Sequence, residues 1–297
     1  MEYLIALIPA LGWGLMPLIT GKMGGSEANQ IFGMGGSEAN QIFGIGAGAS
    51  IVGIIAFLIT QPTVSAGAFI FSMVCGALWS TAQIGQFVSF KRMGVSSTIP
   101  LSTVFQLVGN SLIGVMIFGE WRGAKALLIG FGALLIVIIG ALMTSVSDKK
   151  GDSKVTTSNV IFLLATTIGY WIYSSFPKIP YLANQSSEGI FLPEVLGILV
   201  GAILYEFFTG NAKAFGQKEQ YTNILGGISW GIAAFAYIFA ARSLGVNVAF
   251  IFTQLNVVIA TFGGILVLHE HKSSHEMKFT LLGILLIVIG SVATIFA

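Results

Sequence analysis

Long stretches without a charged side chain are the feature that most constrains how this chain can fold. A helix rising 1.5 Å per residue crosses the ~30 Å hydrocarbon core of a membrane in about 20 residues. The uncharged stretches are 3–21, 39–90, 93–119, 126–147, 155–177, 220–241, 243–269 and 279–297. We therefore predict membrane-spanning helices in all of them.

The number of spans follows from the lengths of these stretches. Residues 39–90 are long enough for two spans, and Gln61-Pro62 places a turn signal in the middle. A weaker stretch, 188–208, carries two glutamates near its ends, and with it the count is ten helices. The first stretch lacks the positively charged start of a secretory signal, so we predict an uncleaved helix. Charged residues make up only 9% of the chain, too few to solvate a soluble globule of 297 residues.

The chain repeats itself weakly at an offset of 151 residues. Trp79 precedes Gly94 by 15 residues, and Trp230 precedes Gly245 by the same distance. A unit of five helices has an odd number of spans, so its second copy enters the membrane in the opposite sense. We predict an all-α integral membrane protein of ten transmembrane helices in two inverted five-helix repeats, with a substrate site between them. The repeats are residues 1–147 and 156–297, and residues 148–155 form a polar linker.

Lysine and arginine are distributed unevenly between the two sets of loops. Ten of them lie in loops that follow odd-numbered helices, and four lie on the opposite side. Because loops on the inner side of a cell membrane are enriched in positive residues, we predict that both termini lie outside.

A second and much closer repeat separates the first two spans. Residues 24–34 read GGSEANQIFGM and residues 35–45 read GGSEANQIFGI, identical at ten of eleven positions. We interpret 24–45 as a tandem duplication. It either lengthens the first loop without further effect, or adds about three helical turns that preserve the facing of the residues after it.

Uncharged polar and aromatic side chains recur inside the spans, where polar groups are costly and often functional. They include Gln83, Gln86, Thr103, Gln106, Asn110, Tyr170, Trp171, Tyr173, Thr253, Gln254 and Asn256. A sugar needs groups that both donate and accept hydrogen bonds, and flat rings against its C–H faces. We predict a neutral sugar bound by Trp13, Trp79, Gln83, Gln106, Asn110, Tyr170, Trp171, Gln254 and Asn256. Alternatively, the amides bridge helices and the tryptophans lie at the membrane interface.

Acidic side chains within the spans are few. Glu194 and Glu206 are the two candidates for a residue that carries a proton through the membrane. Glu120 and Glu270 lie at helix ends, each two positions before a cationic residue, where we expect ion pairs at the surface.

Several other kinds of site lack support. His269, His271 and His275 surround Glu270, but residues two apart do not share a helix face, and Cys75 is the only cysteine. No Walker-type lysine follows the glycines, no Ser-His-Asp or paired-carboxylate set is recognisable, and no basic stripe is present. We therefore expect no metal, no cofactor, no enzymatic activity and no nucleic-acid partner.

Four strings carry a resemblance to a known family: IPALGWG at 8–14, GVSSTIPLSTVFQLVG at 94–109, FGEW at 118–121 and FTQLNVVIATFGGI at 252–265. They resemble the bacterial glucose/ribose porter family, part of the drug/metabolite transporter superfamily of ten-helix carriers. The resemblance implies proton-linked uptake of a monosaccharide across the cytoplasmic membrane, through a site between two five-helix halves. An exporter of drugs or small metabolites on the same fold is the alternative.

The resemblance does not select one sugar. FGEW and GVSSTIPLS are similar to the glucose-uptake branch, whereas GYWIYSSFPK at 169–178, FLPEVLG at 191–197 and EHKSSHEM at 270–277 are similar to the ribose-uptake branch. We expect glucose first and ribose second. The doubled GGSEANQIFG segment departs from the family pattern, in which we expect one copy.

Overall fold

The computed structural model describes residues 2–21, 36–146, 148, 155–210, 212–267 and 273–297. In that part of the chain every regular element is helical, as the predicted all-α class requires. The helices are α1 (Glu2–Gly21), α2 (Glu38–Thr60), α3 (Ala66–Met93), α4 (Val95–Met116), α5 (Ala124–Thr144), α6 (Thr157–Ser175), α7 (Ser187–Phe208), α8 (Ile224–Leu244), α9 (Val246–Thr253), α10 (Asn256–Val267) and α11 (Ser274–Ala293). A short helix, Lys218–Thr222, precedes α8.

Nine segments of the described chain are long and apolar enough to cross a membrane. They correspond to α2 through α8, to α9 and α10 taken together, and to α11. In α1, which has 20 residues, Glu2–Leu15 form a shorter apolar segment. The chain is therefore a multi-pass membrane protein, and α1 as its tenth span stays a prediction.

Short polar side chains begin several of the helices. Ser65, Thr156 and Ser186 each accept a hydrogen bond from the backbone N–H three residues further on, at the start of α3, α6 and α7. Ser37 and Ser273 begin α2 and α11 in the same way. These caps satisfy N–H groups that lipid could not.

The predicted ninth helix is broken in the structure. α9 and α10 lie on either side of a turn formed by Gln254 and Leu255. The backbone N–H of Gln254 donates to Ile251 O at 3.0 Å, a bond across three residues instead of four. Thr253 favours the break, because its hydroxyl donates to Phe250 O at 2.6 Å and competes with the helical bonds.

The helices pair in a pattern that is unchanged when the two halves of the chain are exchanged. α1 packs on α8 as α6 packs on α3, and α2 packs on α8 as α7 packs on α3. Glycines allow two of these close approaches, since a Cβ on Gly76 would overlap Glu194 O and a Cβ on Gly227 would overlap Gly44 O. Gly76 and Gly227 are 151 residues apart, which is the offset of the sequence repeat.

A single glycine joins α3 to α4, and another joins α8 to α9. Gly94 has φ 77° and ψ 158°, and Gly245 has φ 92° and ψ 159°. A positive φ favours glycine, so both junctions need this residue. Their shared conformation extends the match between the two halves from sequence to backbone geometry.

The second copy of the duplicated segment begins α2 and supplies its polar contacts. Glu38 forms an ion pair with Lys91 at the end of α3. Asn40 donates to Gln220 Oε1 at 2.9 Å, and Gln220 donates in turn to Glu206 Oε1 at 2.7 Å. This buried chain of hydrogen bonds connects α2 to α7 through the short helix before α8.

The linker between the halves is described at Asp148 and Val155. Asp148 holds the linker against the start of α11, where its carboxylate accepts a hydrogen bond from the Ser273 hydroxyl and lies 2.8 Å from His275 Nδ1. The hydrogen bond from Ser273, followed by the contact with His275, holds the pKa of the Asp148 carboxyl below its usual value.

Some sequence predictions fall outside the described residues. They concern Glu270 and its neighbours His269, His271 and Lys272, and residues 24–35 of the duplication. Among the described residues, no group of three or more His, Cys, Asp or Glu side chains is placed to hold a metal ion. The domain boundaries at 147 and 156 stay predictions.

Candidate functional site: a cavity between the two halves

A cavity of about 340 Å³ lies among helices of both halves of the chain. Its lining combines aromatic rings with uncharged polar groups. The rings are Trp13, Trp79, Tyr170, Tyr173, Trp230 and Phe250. The polar side chains are Gln83, Gln86, Thr103, Gln106, Ser174, Thr253, Gln254, Asn256 and Thr261. The volume is within the range of roughly 300–1,000 Å³ that is typical of small-molecule sites.

Four rings form a continuous surface in this cavity, which we call the aromatic floor: Trp13, Trp79, Tyr173 and Trp230. The ring centroid of Trp230 lies 6.3 Å from that of Trp13, 4.7 Å from that of Trp79 and 5.9 Å from that of Tyr173. Trp79 and Trp230 are only 4% and 6% exposed. These tryptophans therefore lie inside the bundle, and the alternative that they lie at the membrane interface is wrong for them.

Two polar atoms of the floor lack a hydrogen-bond partner within the described chain: Trp13 Nε1 and Tyr173 Oη. Leaving a buried donor unpaired costs about 1–3 kcal/mol, so an arrangement that does so needs an explanation. A ligand that carries hydroxyl groups would supply the missing acceptors.

One wall of the cavity consists of hydrogen-bonded amides from α3 and α4. The Tyr170 hydroxyl lies 2.9 Å from Gln83 Oε1 and 2.8 Å from Gln86 Oε1, and it can donate to one of them. Gln86 and Gln106 both donate to the Ser102 hydroxyl oxygen, at 3.1 Å and 3.0 Å. This network, which we call the amide wall, holds each amide in a defined orientation.

A second part of the lining comes from the break between α9 and α10. Gln254 Nε2 donates to Thr253 Oγ1 at 3.2 Å. Asn256 begins α10, and Thr261 follows further along the same helix. Because the helix is interrupted here, polar side chains that are close in sequence reach the same cavity.

The exposed part of the cavity lining lies toward one end of the helix bundle. We call the side with the start of α1 and the end of α11 the terminal side, and the side with the α5–α6 linker the linker side. The partly exposed lining residues, apart from Trp13, are Ile99, Thr103, Gln106, Asn256, Val257 and Thr261. They lie on α4, which begins on the linker side, and on α10, which ends there. Toward the terminal side the lining is buried at Tyr173, Ser174 and Phe250.

The corner between α4 and α5 is hydrogen-bonded to the start of α9 on the terminal side. Glu120 Oε1 accepts a hydrogen bond from Val246 N at 2.7 Å, and Glu120 Oε2 accepts one from Asn247 N at 2.9 Å. Lys178 Nζ lies 3.2 Å from Glu120 Oε1. A carboxylate that accepts the free N–H groups at a helix N-terminus makes strong, charge-assisted bonds.

The partner that we predicted for Glu120 is therefore wrong. Arg122 Nε donates to Gly119 O at 3.1 Å instead. Gly119 and Trp121 have φ of 63° and 55°, and this sharp corner places the Glu120 carboxylate at the start of α9.

Arg242 fixes the connection between α6 and α7 on the same side. Its guanidinium donates to Pro177 O at 3.0 Å, to Leu182 O at 3.1 Å and to Gln185 O at 2.7 Å. Three backbone carbonyls, which could form no hydrogen bond with lipid, thus accept hydrogen bonds from the same guanidinium.

The two acidic candidates differ in their surroundings. Glu194 is fully buried in α7, and neither carboxyl oxygen has a hydrogen-bond partner among the described residues. Its neighbour in α7, Val195, belongs to the same buried hydrophobic cluster as Trp79, Tyr173 and Trp230 of the aromatic floor. Glu206 is also fully buried, but its Oε1 accepts the bond from Gln220. Neither glutamate lines the cavity.

Seven of the nine predicted substrate-binding residues line one cavity: Trp13, Trp79, Gln83, Gln106, Tyr170, Gln254 and Asn256. The other two, Asn110 and Trp171, do not. Trp171 packs against Gly109, where a Cβ would overlap its indole, and its Nε1 donates to Phe105 O at 2.9 Å. Trp171 therefore joins α6 to α4.

Sequence reasoning missed several lining residues. Trp230 was considered as a marker of the repeat and as a tryptophan of the membrane interface, although its equivalence to Trp79 would have placed it in the site. Ser174, Phe250 and Thr261 carried no signal, because a single hydroxyl or ring in a span is common whichever way it faces.

The fold and the cavity together define a multi-pass membrane transport protein. Comparison with known proteins identifies it further, because the family model described as "Sugar transport protein" matches residues 4–37 and 33–297. The chain belongs to this family of sugar transporters, and this membership indicates a transporter and not an enzyme. The two matched segments overlap at 33–37, inside the duplicated stretch.

Relatives match over nearly the whole chain. A protein of Lactobacillus helveticus whose name assigns it to sugar uptake is 43% identical, over 98% of this chain and 99% of the relative. A protein of Staphylococcus epidermidis whose name assigns it to ribose uptake is 36% identical, over 99% of this chain and 97% of the relative. The resemblance found in the sequence is thereby confirmed.

A solved crystal structure shares the fold. It superposes on 100% of this chain and 99% of its own with a TM-score of 0.72, at 16% sequence identity. At this identity the likeness concerns the fold alone.

Proposed function

We propose that this protein takes up a monosaccharide across the cell membrane, with glucose as the first candidate and ribose as the second. The observation that carries the proposal is that the aromatic floor and the amide wall line the same cavity. A pyranose or furanose presents C–H faces to flat rings, and its hydroxyls both donate and accept. The relatives named for sugar and ribose uptake support the same substrate class.

The chemistry of the lining favours a neutral polyol over the alternative, an exporter of drugs or small metabolites. Many drugs are cations, and an embedded cation site needs an acidic partner. None of the described lining residues is charged. Purely apolar cargo is also disfavoured, because it would leave Trp13 Nε1 and Tyr173 Oη of the aromatic floor without hydrogen-bond partners.

We further propose that the cavity lies between two inverted five-helix repeats. The proposal is supported by the exchange symmetry of the helix pairs, by the matching junctions at Gly94 and Gly245, and by the constant offset of 151. In such carriers the halves exchange conformations so that the site faces each side in turn. In this proposal the lysine and arginine distribution makes the linker side the inner side, and the partly exposed lining residues on α4 and α10 support an opening of the cavity toward it.

Transport is linked to protons in this proposal, with Glu194 as the proton carrier in preference to Glu206. A buried carboxylate without a cation or hydrogen-bond donor is very costly in its charged form, so Glu194 holds a proton in this conformation. The next residue of α7, Val195, packs in the same buried hydrophobic cluster as Tyr173 of the aromatic floor, and this packing supports a link between Glu194 and the sugar site. Glu206 is committed to the hydrogen-bond chain through Gln220, which is a structural role.

An uptake panel tests the proposed function. Cells that lack their other sugar permeases, and that express this protein, should accumulate labelled glucose or ribose. The same cells should gain no tolerance to cationic dyes, which an exporter would confer. Accumulation of neither sugar by well-expressed protein would refute the proposal.

A further inference from the structure

Two asparagines buried outside the cavity have side chains without a hydrogen-bond partner in the part of the chain that the structure describes. Asn110 of α4 and Asn247 of α9 are each 1% exposed. All four polar atoms of their side chains lack a partner among the described residues. Unpaired amides are costly in a membrane protein, where surrounding lipid offers no substitute, so this arrangement requires an explanation.

Both asparagines lie on the seam where α4 meets α9. The Asn247 side chain packs on α4 at Gly114, where a Cβ would overlap its oxygen. Asn110 precedes Gly114 by four residues and so lies one turn away on the same face of α4. One further turn along α4 stands Gln106, which lines the cavity. The seam therefore continues from the cavity toward the terminal side.

The proposed repeat relates this closed seam to the open mouth of the cavity. Asn110 and Thr261 are 151 residues apart, the offset that relates Gly94 to Gly245 and Trp79 to Trp230. Thr261 is partly exposed and lines the cavity toward the linker side. Asn110 therefore holds, on the closed terminal side, the position that Thr261 holds at the open mouth.

The Glu120 contacts close this seam beyond the asparagines. The carboxylate of Glu120 belongs to the α4–α5 corner, and both of its oxygens accept N–H groups of α9, one of them from Asn247 itself. A Cβ on Gly245 would lie 2.8 Å from the carboxyl carbon, so the corner sits directly on the start of α9. The break at Gln254 and Leu255 separates α9 from α10, and it allows α9 to move alone.

We propose that the α4–α9 seam is a second mouth of the transport path, in which Asn110 and Asn247 bind the hydroxyls of a monosaccharide arriving from the terminal side, and that Glu120 holds this mouth shut. This inference rests on the proposed sugar transport, since it names the entry site of the same substrate. In the alternate conformation the four unpaired amide atoms face the path, and sugar or water satisfies them.

Single-cysteine labelling tests the closure without any sugar. Cys75 is buried and is the only native cysteine, so a Cys75→Ala background is free of competing thiols. Asn247→Cys and Asn110→Cys are each introduced into this background. A membrane-impermeant thiosulfonate, which reacts with accessible thiols, is then added from the terminal side. We expect slow labelling with Glu120 present. In Glu120→Gln, which loses charge-assisted bonds to α9, labelling should be at least about tenfold faster.

Matched variants separate closure from general loosening. Arg122→Gln lies in the same corner and leaves the bonds of Glu120 to α9 in place, so it should not change the labelling rate. Lys178→Gln removes the ion-pair partner of Glu120, together with the contact of the ammonium group with the Phe118 ring, and it serves as a second release variant if Glu120→Gln fails to insert. Unchanged labelling of both cysteines in every inserted release variant would overturn the proposed mouth, as would equal acceleration by Arg122→Gln.

A sugar arm tests the binding role of the asparagines. In the Glu120→Gln background, an excess of the transported sugar should slow the labelling of both cysteines by occupying the seam. Labelling that is fast but unaffected by that sugar would overturn the entry site. If the wild-type protein carries neither glucose nor ribose, the proposed function fails, whereas the closure by Glu120 is still measured by labelling alone.

Discussion

The rings of Trp79 and Trp230 lie 4.7 Å apart between their centroids, with their planes inclined by 51°. One belongs to α3 and the other to α8, at positions 151 residues apart. In the proposed inverted repeat these residues are equivalent, so their contact lies at the pseudo-two-fold axis. A pair on that axis keeps its place when the halves exchange conformations, and it can therefore touch the sugar throughout the transport cycle.

We expect Trp79→Ala and Trp230→Ala each to weaken sugar binding, because either change removes a ring from the aromatic floor. Loss of an aromatic contact worth about 0.5–1.5 kcal/mol lowers affinity by roughly two- to twelvefold. The measurement is the half-saturation concentration for uptake. Trp171→Phe, which changes a tryptophan outside the cavity, is the control and should leave that concentration unchanged. Equal effects at all three tryptophans would assign the floor to packing.

Gln106→Ala and Gln254→Ala should each weaken transport while the protein still inserts. Either variant deprives a sugar hydroxyl of its partner, which costs about 1–3 kcal/mol, or roughly five- to 150-fold in affinity. The half-saturation concentration measures this as well. Gln217→Ala, at an exposed position before the short helix, is the matched control. Unchanged half-saturation in both cavity variants would return the two glutamines to a role in helix packing.

Glu194→Gln should separate sugar movement from proton movement. The neutral amide resembles the protonated acid, so exchange of sugar across vesicle membranes should persist, while accumulation driven by a proton gradient is lost. A pH-sensitive dye inside the vesicles measures the accompanying protons. Glu206→Gln should retain both activities, because its side-chain oxygen can still accept from Gln220. Proton movement that persists in Glu194→Gln would contradict the assigned carrier.

The duplicated segment offers a comparison of identical residues in different places. Asn40→Ala removes the bond to Gln220 and should lower the free energy of unfolding by about 1–3 kcal/mol. Asn29→Ala changes the same residue of the first copy, in a segment that we interpret as added loop, and should have no effect. Thermal unfolding of the purified variants compares the two.

Deletion of Gly24–Met34 extends this comparison. Doubling a loop changes its closure entropy by only about 0.6 kcal/mol, so the deleted protein should insert and transport near normally. The first copy cannot take the place of the second at the start of α2. The chain would have to slide by the length of one copy, which would bring Ser37 and Glu38 to the positions where Gly48 and Ala49 pack in α2. A deletion variant that fails to insert would show that the first copy is part of the fold.

The spans could be predicted from the sequence because a helix needs about 20 apolar residues to cross the membrane, so each span appears as an uncharged stretch of at least that length. The break near Gln254 could not be predicted. It depends on a local competition for backbone hydrogen bonds, and the apolar residues around it give no sign of this competition. The backbone N–H groups that Glu120 binds lie 126 and 127 residues away in sequence, and Lys178 lies 58 residues away, beyond the reach of any local pattern.

The sequence predicted which types of residue form the site better than it predicted which of these residues face the cavity. A polar residue in a span is a signal whichever way it faces, so Asn110 and Trp171 could not be distinguished from Gln106 and Tyr170. Facing is set by how neighbouring helices pack. The offset of 151 was the one sequence signal that reached across the molecule, and it relates Trp230 to Trp79.

Sugar counterflow in vesicles tests the central claim most directly, because it requires only a sugar site that faces each side in turn. Vesicles containing the purified protein are loaded with unlabelled glucose or ribose and diluted into a trace of the labelled sugar. We predict a transient entry of label for at least one of the two sugars, and its loss in the double variant Gln106→Ala, Gln254→Ala. Absence of counterflow for both sugars by folded protein, or counterflow unchanged in the double variant, would contradict a monosaccharide site in this cavity.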